Sequence, residues 1–406
     1  MGKDENLPGD GERQVKLSVS DVAVQDKRVL LRVDFNVPLS GEQVADDTRI
    51  RAALPTIGHL LERGARLILA SHLGRPRGEV LPELRLDPVA SRLSELLGRP
   101  VRKLDTVVGP AVEEAVKGLA AGEVLLLENL RFEKGEEAND PAFARQLAQT
   151  ADLLVNDAFG TAHRAHASTA GVAAYIPAVA GLLMLREMEQ LSRCLKSPVR
   201  PMAAILGGAK VSDKLKVIRR FLELADTLLL GGAMANTFLA ALDYPLGASF
   251  YEEDLIGEAE KILEESEESS CCLQLPVDLV VARELKAHTP FKTVPVGEVD
   301  EGWMAVDIGP ETAALFGGIA EEAGTILWNG PLGVFEIAPF HRGTEAVARA
   351  VAGSGAFSIA GGGDIVAALE GLGLAGQMGF ISTGGGATLK FWEGEPLPGI
   401  AALRDK

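Results

Sequence analysis

Residues 200–210 read Arg-Pro-Met-Ala-Ala-Ile-Leu-Gly-Gly-Ala-Lys, close to the middle of the chain. The apolar run Met202–Leu206 predicts a buried strand stopped by Gly207 and Gly208, and Lys210 then opens a predicted helix over 211–224. Glycine lets the backbone turn tightly and lets an anion approach the main chain. Unpaired N–H groups at a helix start favour negative charge, and a lysine there adds a mobile full charge. The stretch therefore reads as a phosphate cradle. Taken alone, it is also an ordinary strand-to-helix turn with a surface lysine. Recurrence favours the cradle, because apolar runs farther on stop at Gly231-Gly232, Asn329-Gly330-Pro331, Gly361-Gly362-Gly363-Asp364 and Gly384-Gly385-Gly386. Several backbone amides aimed at one place suit a polyphosphate. Asp364 could hold Mg²⁺ on a nucleotide, and Glu336 could accept from ribose hydroxyls.

The first half repeats strand and helix with different punctuation. Predicted strands end in Asp34-Phe35-Asn36, His72-Leu73-Gly74-Arg75, Glu128-Asn129-Leu130-Arg131, and a segment carrying His163, Arg164 and His166. Arg49 stands near the start of a helix predicted over 51–63, with Asp47 or Thr48 as its cap. Alternating strands and helices imply βαβ units and a parallel sheet, in which ligands bind beyond the carboxyl ends of the strands. Four strand ends with cationic or hydrogen-bonding groups suit a small, multiply charged anion, since arginine binds phosphate and carboxylate in two-pronged fashion. Asp34-x-Asn36 before proline could also be turn chemistry. His163 and His166 lack a third nearby metal ligand.

The chain has 406 residues, 47% of them hydrophobic, which predicts two domains of ordinary size. Its net charge of −17 argues against nucleic acid or anionic membrane as a partner. Three cysteines give no disulfide framework. Residues 1–14 are polar, without an apolar core, and read as a disordered tail rather than a signal peptide. No apolar run approaches the ~20 residues of a membrane span, so a cytoplasmic protein is expected. Residues 182–195 carry helical apolar spacing and precede Pro198 and Pro201; they read either as a helix joining two domains or as a core helix. Residues 252–270 read as a glutamate-rich solvated helix. There is no GxxxxGK[ST] loop, and the GxGxxG at Gly371, Gly373 and Gly376 follows a helical run, not a strand, so it does not mark a dinucleotide fold.

The stretches Arg32 to Pro38, Ser71 to Pro76, Glu128 to Phe132, Asn156 to Ala167, Gly207 to Val211, Trp328 to Pro331, Gly361 to Asp364 and Ser382 to Ala387 together resemble the phosphoglycerate kinase family, in that family's order. The resemblance implies an α/β fold of two Rossmann-like three-layer α/β/α domains with mainly parallel sheets and a hinge helix. The implied boundaries are 15–181 joined by 394–406 for the phosphoglycerate domain, 182–197 for the interdomain helix, and 198–393 for the nucleotide domain. It implies reversible phosphoryl transfer from 1,3-bisphosphoglycerate to ADP, giving 3-phosphoglycerate and ATP, by a Mg²⁺-dependent phosphotransferase acting on a carboxyl group, monomeric and closing about a hinge. The implied substrate residues are Asp34, Phe35, Asn36, Arg49, His72, Leu73, Gly74, Arg75, Arg131 and Arg164. The implied nucleotide residues are Gly208, Lys210, Lys214, Gly232, Ala305, Asn329, Pro331, Glu336, Gly362, Gly363, Asp364 and Ile365, with Asp364 on the metal. Arg49, Lys210, Gly363 and Gly385 match the positions that serve the transferring group. Three features depart from the family pattern: Ile365 stands where threonine is usual, Ala305 where glycine is common, and the hinge segment Ala180 to Leu185 lacks the lysines some members carry.

Overall fold

The computed structural model describes residues 15–406; the expected tail, 1–14, lies outside the described residues. The chain divides into two compact units, one running to Glu189 and including Glu395–Lys406, the other Gln190–Gly394. The helix Leu182–Lys196 crosses that division in sequence.

The first unit is built on a six-stranded parallel sheet in the order Val101–Lys103, Val124–Leu126, Arg66–Ala70, Arg28–Arg32, Leu153–Asn156, Ala178–Ala180. Leu30 pairs in register with Ile68 on one side and Leu154 on the other. These strands are apolar on both faces, as a parallel sheet covered by helices requires. Val29, Leu31, Leu67, Leu69, Val124, Leu126 and Val155 pack with Ile50, Ile57, Val89 and Leu93 of the helices Thr48–Glu62 and Asp87–Leu97. Three of the strands are only three residues long, and two of these, Val101–Lys103 and Ala178–Ala180, give no sequence signal of their own. The C-terminal segment is tied to this unit by Gly399 N–H to Ala162 O (2.8 Å) and Arg404 N–H to Ala178 O (3.0 Å).

The second unit carries a parallel sheet in the order Cys272–Gln274, Thr227–Leu230, Met202–Leu206, Thr325–Asn329, Phe357–Gly361, Phe380–Ser382. In chain order this is 3-2-1-4-5-6, the doubly wound dinucleotide-type arrangement. The strands Asp278–Ala282 and Met304–Ile308 do not join it; with Phe291–Pro295 they form a small antiparallel sheet.

Three local expectations change. The first helix starts at Thr48, and the oxygen at its head belongs to Asp46: its Oδ1 accepts from Thr48 N (2.8 Å) and Oγ1 (2.6 Å). Asp47 is instead held by Arg51 and Arg92. The glutamate-rich helix is Ile256–Glu268, leaving Glu252 outside it. The helix expected from residue 211 begins at Leu215, so Lys210 lies in the irregular stretch before it and not at a helix start.

Candidate functional site

Each main sheet reverses its winding at one place, and there the loops diverge to leave a crevice at the carboxyl ends of the strands. In the first unit it falls between Arg28–Arg32 and Leu153–Asn156. The loops that follow four neighbouring strands bring Asp34, Asn36, His72, Arg75, Arg131 and Arg164 to that edge.

These loops are fixed by side-chain hydrogen bonds to backbone. Ser71 Oγ accepts from Phe35 N (2.9 Å), and Asn36 Oδ1 from Gly74 N (2.9 Å). Asn129 is fully buried; its Oδ1 accepts from Leu73 N and Arg131 N (3.1 Å each), and its Nδ2 donates to Leu73 O (2.7 Å) and Leu84 O (2.9 Å). Arg131 donates from Nη1 to Gly74 O (2.7 Å), while its Nε lies 3.1 Å from Glu137. Arg49 spans Asp34 Oδ2 (3.3 Å) and Asn36 O (3.1 Å). Arg164 donates to His163 Nε2 (3.1 Å). Arg75 is exposed and forms no ion pair among the described residues.

Beneath this rim lies a buried chain of polar groups to which no role attaches from sequence. Arg32, 1% exposed, donates to Ser168 Oγ (2.8 Å), to Val33 O and to His72 Nδ1 (3.3 Å). Ser168 in turn donates to Glu136 (2.6 Å), whose carboxylate is fully buried. Burial pushes the Glu136 carboxyl up, opposed by Arg32. A guanidinium can only donate, so His72 Nδ1 carries the lone pair and the ring proton sits on Nε2. Asp34 Oδ1 is 3.8 Å from Nδ1, too far to compete, and already accepts from Asn36 N. Burial and the charges of Arg32, Arg131 and Arg49 hold His72 well below the ordinary histidine range. His166, buried and facing the same arginines, is held down to about 4. Both imidazoles are thus neutral at pH 7. Among the described residues no cluster of three His, Cys, Asp or Glu side chains could hold a metal ion, which leaves His163 and His166 without a metal-binding partner set.

In the second unit the crevice falls between Met202–Leu206 and Thr325–Asn329. Here the glycine turns knit together through backbone. Gly207 N–H donates to Asn329 O (2.9 Å), Gly208 N–H to Pro331 O (2.8 Å) and Gly232 N–H to Leu332 O (3.0 Å). A Cβ on Gly207 would stand 2.1 Å from Pro331 O, so only glycine permits this approach. The amides of Val211 and Ser212 are engaged as well, by the carboxylate of Glu252 (2.6 and 3.0 Å). Of the amides around Lys210, those of Gly207, Gly208, Val211 and Ser212 are therefore satisfied within the chain, while those of Ala209 and Lys210 have no acceptor among the described residues. Free amides also stand at the head of the helix Gly363–Gly371, where Gly363, Asp364 and Ile365 have no intrahelical acceptor. Gly362 precedes them at φ 117°, a conformation that suits glycine. Ile365 has its side chain wholly in the core, so only its backbone is available to a ligand.

Lys214 donates to Gly207 O (2.7 Å), Asn329 O (3.2 Å) and Asn329 Oδ1. Burial pushes it down to about 8, partly offset by Asp364 and Asp213. Lys210 is exposed. A cleft of about 260 Å³ beside these groups is lined in part by Gly208, Gly232, Ala305, Pro331, Glu336 and Asp364. Asp364 is an exposed carboxylate at its wall, and among the described residues no group of three His, Cys, Asp or Glu side chains could hold a metal ion there. That donor set fits Mg²⁺ held mainly by nucleotide phosphates and water, with one carboxylate from the protein.

A doubly wound fold with an arginine-bearing rim in one unit and a glycine-lined cleft in the other suits a small-molecule phosphotransferase without a GxxxxGK[ST] loop. A model of the phosphoglycerate kinase family matches residues 19–395. The chain is 59% identical over 391 residues to the phosphoglycerate kinase of Moorella thermoacetica, covering 96% of this chain and 100% of that protein. It is 58% identical to the phosphoglycerate kinase of Rubrobacter xylanophilus, covering 96% and 99%. The solved phosphoglycerate kinase of Coxiella burnetii superimposes with a TM-score of 0.87 at 43% identity, covering 95% of this chain and 98% of that one. The enzyme from Pyrococcus horikoshii superimposes with a TM-score of 0.83 at 36% identity, with the same coverage. The chain belongs to the phosphoglycerate kinase family.

Proposed function

We propose that the first unit binds 3-phosphoglycerate or 1,3-bisphosphoglycerate at its arginine rim, and that the second binds MgADP or MgATP at its glycine turns. Family membership makes the overall reaction the reversible transfer of a phosphoryl group between the acyl phosphate of 1,3-bisphosphoglycerate and ADP. The observation that carries the residue assignment is that both crevices at the sheets' winding reversals hold groups for anions, of different kinds.

Arg131, Arg164 and Arg75 supply charge for the substrate's anionic groups, and His72 supplies one neutral Nε2–H donor. Asp34 and Asn36 position Arg49. In the second unit, Ala305 and Glu336 face the nucleoside, and the amides of Gly363, Asp364 and Ile365 face its phosphates. Asp364 would hold Mg²⁺, which supplies charge neutralisation on the phosphate oxygens. Arg49 and Lys210, with the backbone at Gly363 and Gly385, offset the charge of the transferring group, the chief demand of phosphoryl transfer. Hinge closure about the segment 182–197, a single chain per functional molecule and a cytoplasmic location complete this reading. No helix among the described residues is long and apolar enough to cross a membrane.

The test is ligand mapping by NMR. 3-Phosphoglycerate alone should shift resonances of His72 and Gly74 and leave those of Gly363 and Asp364 in place. MgADP alone should do the reverse. A ligand that perturbs the other unit's set would overturn the assignment.

A further inference from the structure

The short segment Ser249 to Glu252 carries no assigned role, yet it touches three elements that line the nucleotide cleft. Ser249 Oγ accepts from Ala305 N (2.8 Å). Phe250 O accepts from Nδ2 of the buried Asn236 (3.0 Å), and Glu252 N donates to Oγ1 of the buried Thr237 (3.2 Å). The Glu252 carboxylate then reaches the stretch that bears Lys210. Its Oε2 accepts from Val211 N (2.6 Å) and Ser212 N (3.0 Å), and its Oε1 from Ser212 Oγ (2.7 Å).

The consequence follows from where the helix begins. Residues 208–214 lie outside regular structure, since the helix starts at Leu215. No ladder of helical hydrogen bonds therefore fixes the backbone at Lys210. On one side Gly208 is pinned to Pro331 and Met234. On the other, three donors in two successive residues converge on one carboxylate. Charge-assisted bonds of this kind are about twice as strong as neutral ones. Burial alone would raise the Glu252 carboxyl, and the donors from Ser212 and Val211 outweigh it, with Lys210 adding its charge, so the group sits below the ordinary glutamate range.

We infer that Glu252 is a positioning residue for Lys210: it holds the 208–214 stretch in the form that presents the lysine to the phosphoryl group. The inference rests on the role given to Lys210 above. Glu252 is not among the residues lining the cleft, so its removal acts through misplacement, where a shift of about 1 Å can cost ~100-fold in rate.

The test is a double-mutant cycle on the full chain, with melting temperature recorded for each variant. Glu252→Ala should lower kcat by about 10- to 100-fold while nucleotide KM stays within about threefold. In a Lys210→Ala background, adding Glu252→Ala should change kcat by less than about threefold, because the group it positions is gone. Glu252→Gln keeps the size and one acceptor oxygen, and should lie between wild type and alanine. If the alanine variant does not fold, the glutamine variant carries the same cycle. Wild-type kcat in Glu252→Ala, or losses that multiply in the double variant, would overturn the inference and leave the Lys210 assignment standing. Wild-type turnover in Lys210→Ala would instead remove the site reading, and the inference with it.

Discussion

The two crevices hold their loops still with different materials. In the first unit the loops are held by side chains: Ser71, Asn36 and Asn129 reach across to backbone of neighbouring strand ends, over a buried Arg32–Ser168–Glu136 chain. In the second, the glycine turns meet mainly through backbone, Gly207, Gly208 and Gly232 donating directly to Asn329, Pro331 and Leu332, with the side chains of Lys214 and Glu252 bracing them. The contrast follows from what each must present. A rim of long cations needs its guanidinium groups aimed, which takes many specific side-chain partners. A polyphosphate surface needs main chain brought close, which takes residues with no side chain at all.

Lys210→Ala puts the heaviest strain on this comparison, because it removes the mobile charge from the backbone-built side. Turnover should fall by roughly 100-fold or more with nucleotide binding little changed, as expected for an interaction made in the transition state. A steady-state assay together with a nucleotide titration reads both.

Paired stability measurements come next. Asn129→Ala leaves several buried partners unmatched and should cost about 3 kcal/mol. It should also raise the KM for 3-phosphoglycerate and spare the KM for nucleotide. Gly207→Ala forces a methyl group into Pro331 O and should cost a similar amount, about 3 kcal/mol, with the opposite split in KM. Denaturant melts and kinetics of both variants check this; equal effects on the two KM values would erase the distinction between the units.

The effects of pH are smaller and fall in different windows. Lys214 titrates near 8 in the folded chain, against an ordinary value of 10.5. Between those values the unfolded chain holds more protons, so this residue's contribution to stability rises with pH. A bound phosphate favours the charged form, so nucleotide affinity should decline as pH rises above about 8. Lys214→Met should flatten that decline in a calorimetric titration. In the first unit, burial raises Asp157 from 3.8 to about 6, while its Oδ1 accepts from Leu183 N and Met184 N. Here the folded chain holds more protons, so this contribution declines as pH rises from 3.8 to about 6. Asp157→Asn should remove that shallow slope from a pH series of melting temperatures.

Much of this was legible in the sequence, for identifiable reasons. Apolar runs such as Met202–Leu206 and Thr325–Asn329 stop at glycine or at charged residues, so strand ends could be placed and the edge of each sheet read off. The start of the helix at Leu215 could not be placed. Lys210 to Lys214 contain no breaker, and what holds them outside the helix is Glu252, about forty residues on. Glu252 itself was hidden in a glutamate-rich run that resembles a solvated face. Arg32 gives no signal of its role in the sequence; its burial depends on Glu136 and Ser168, which local pattern cannot bring to it. The separate antiparallel sheet was not legible because Asp278–Ala282 and Met304–Ile308 have apolar runs like those of the main sheet, while Phe291–Pro295 is part polar.

The most direct test of the whole account is a coupled assay of the purified chain with MgATP, run with and without 3-phosphoglycerate. ADP formation that requires 3-phosphoglycerate and stops when the divalent cation is chelated is the predicted result. No turnover, or ADP released at the same rate without 3-phosphoglycerate, would contradict it.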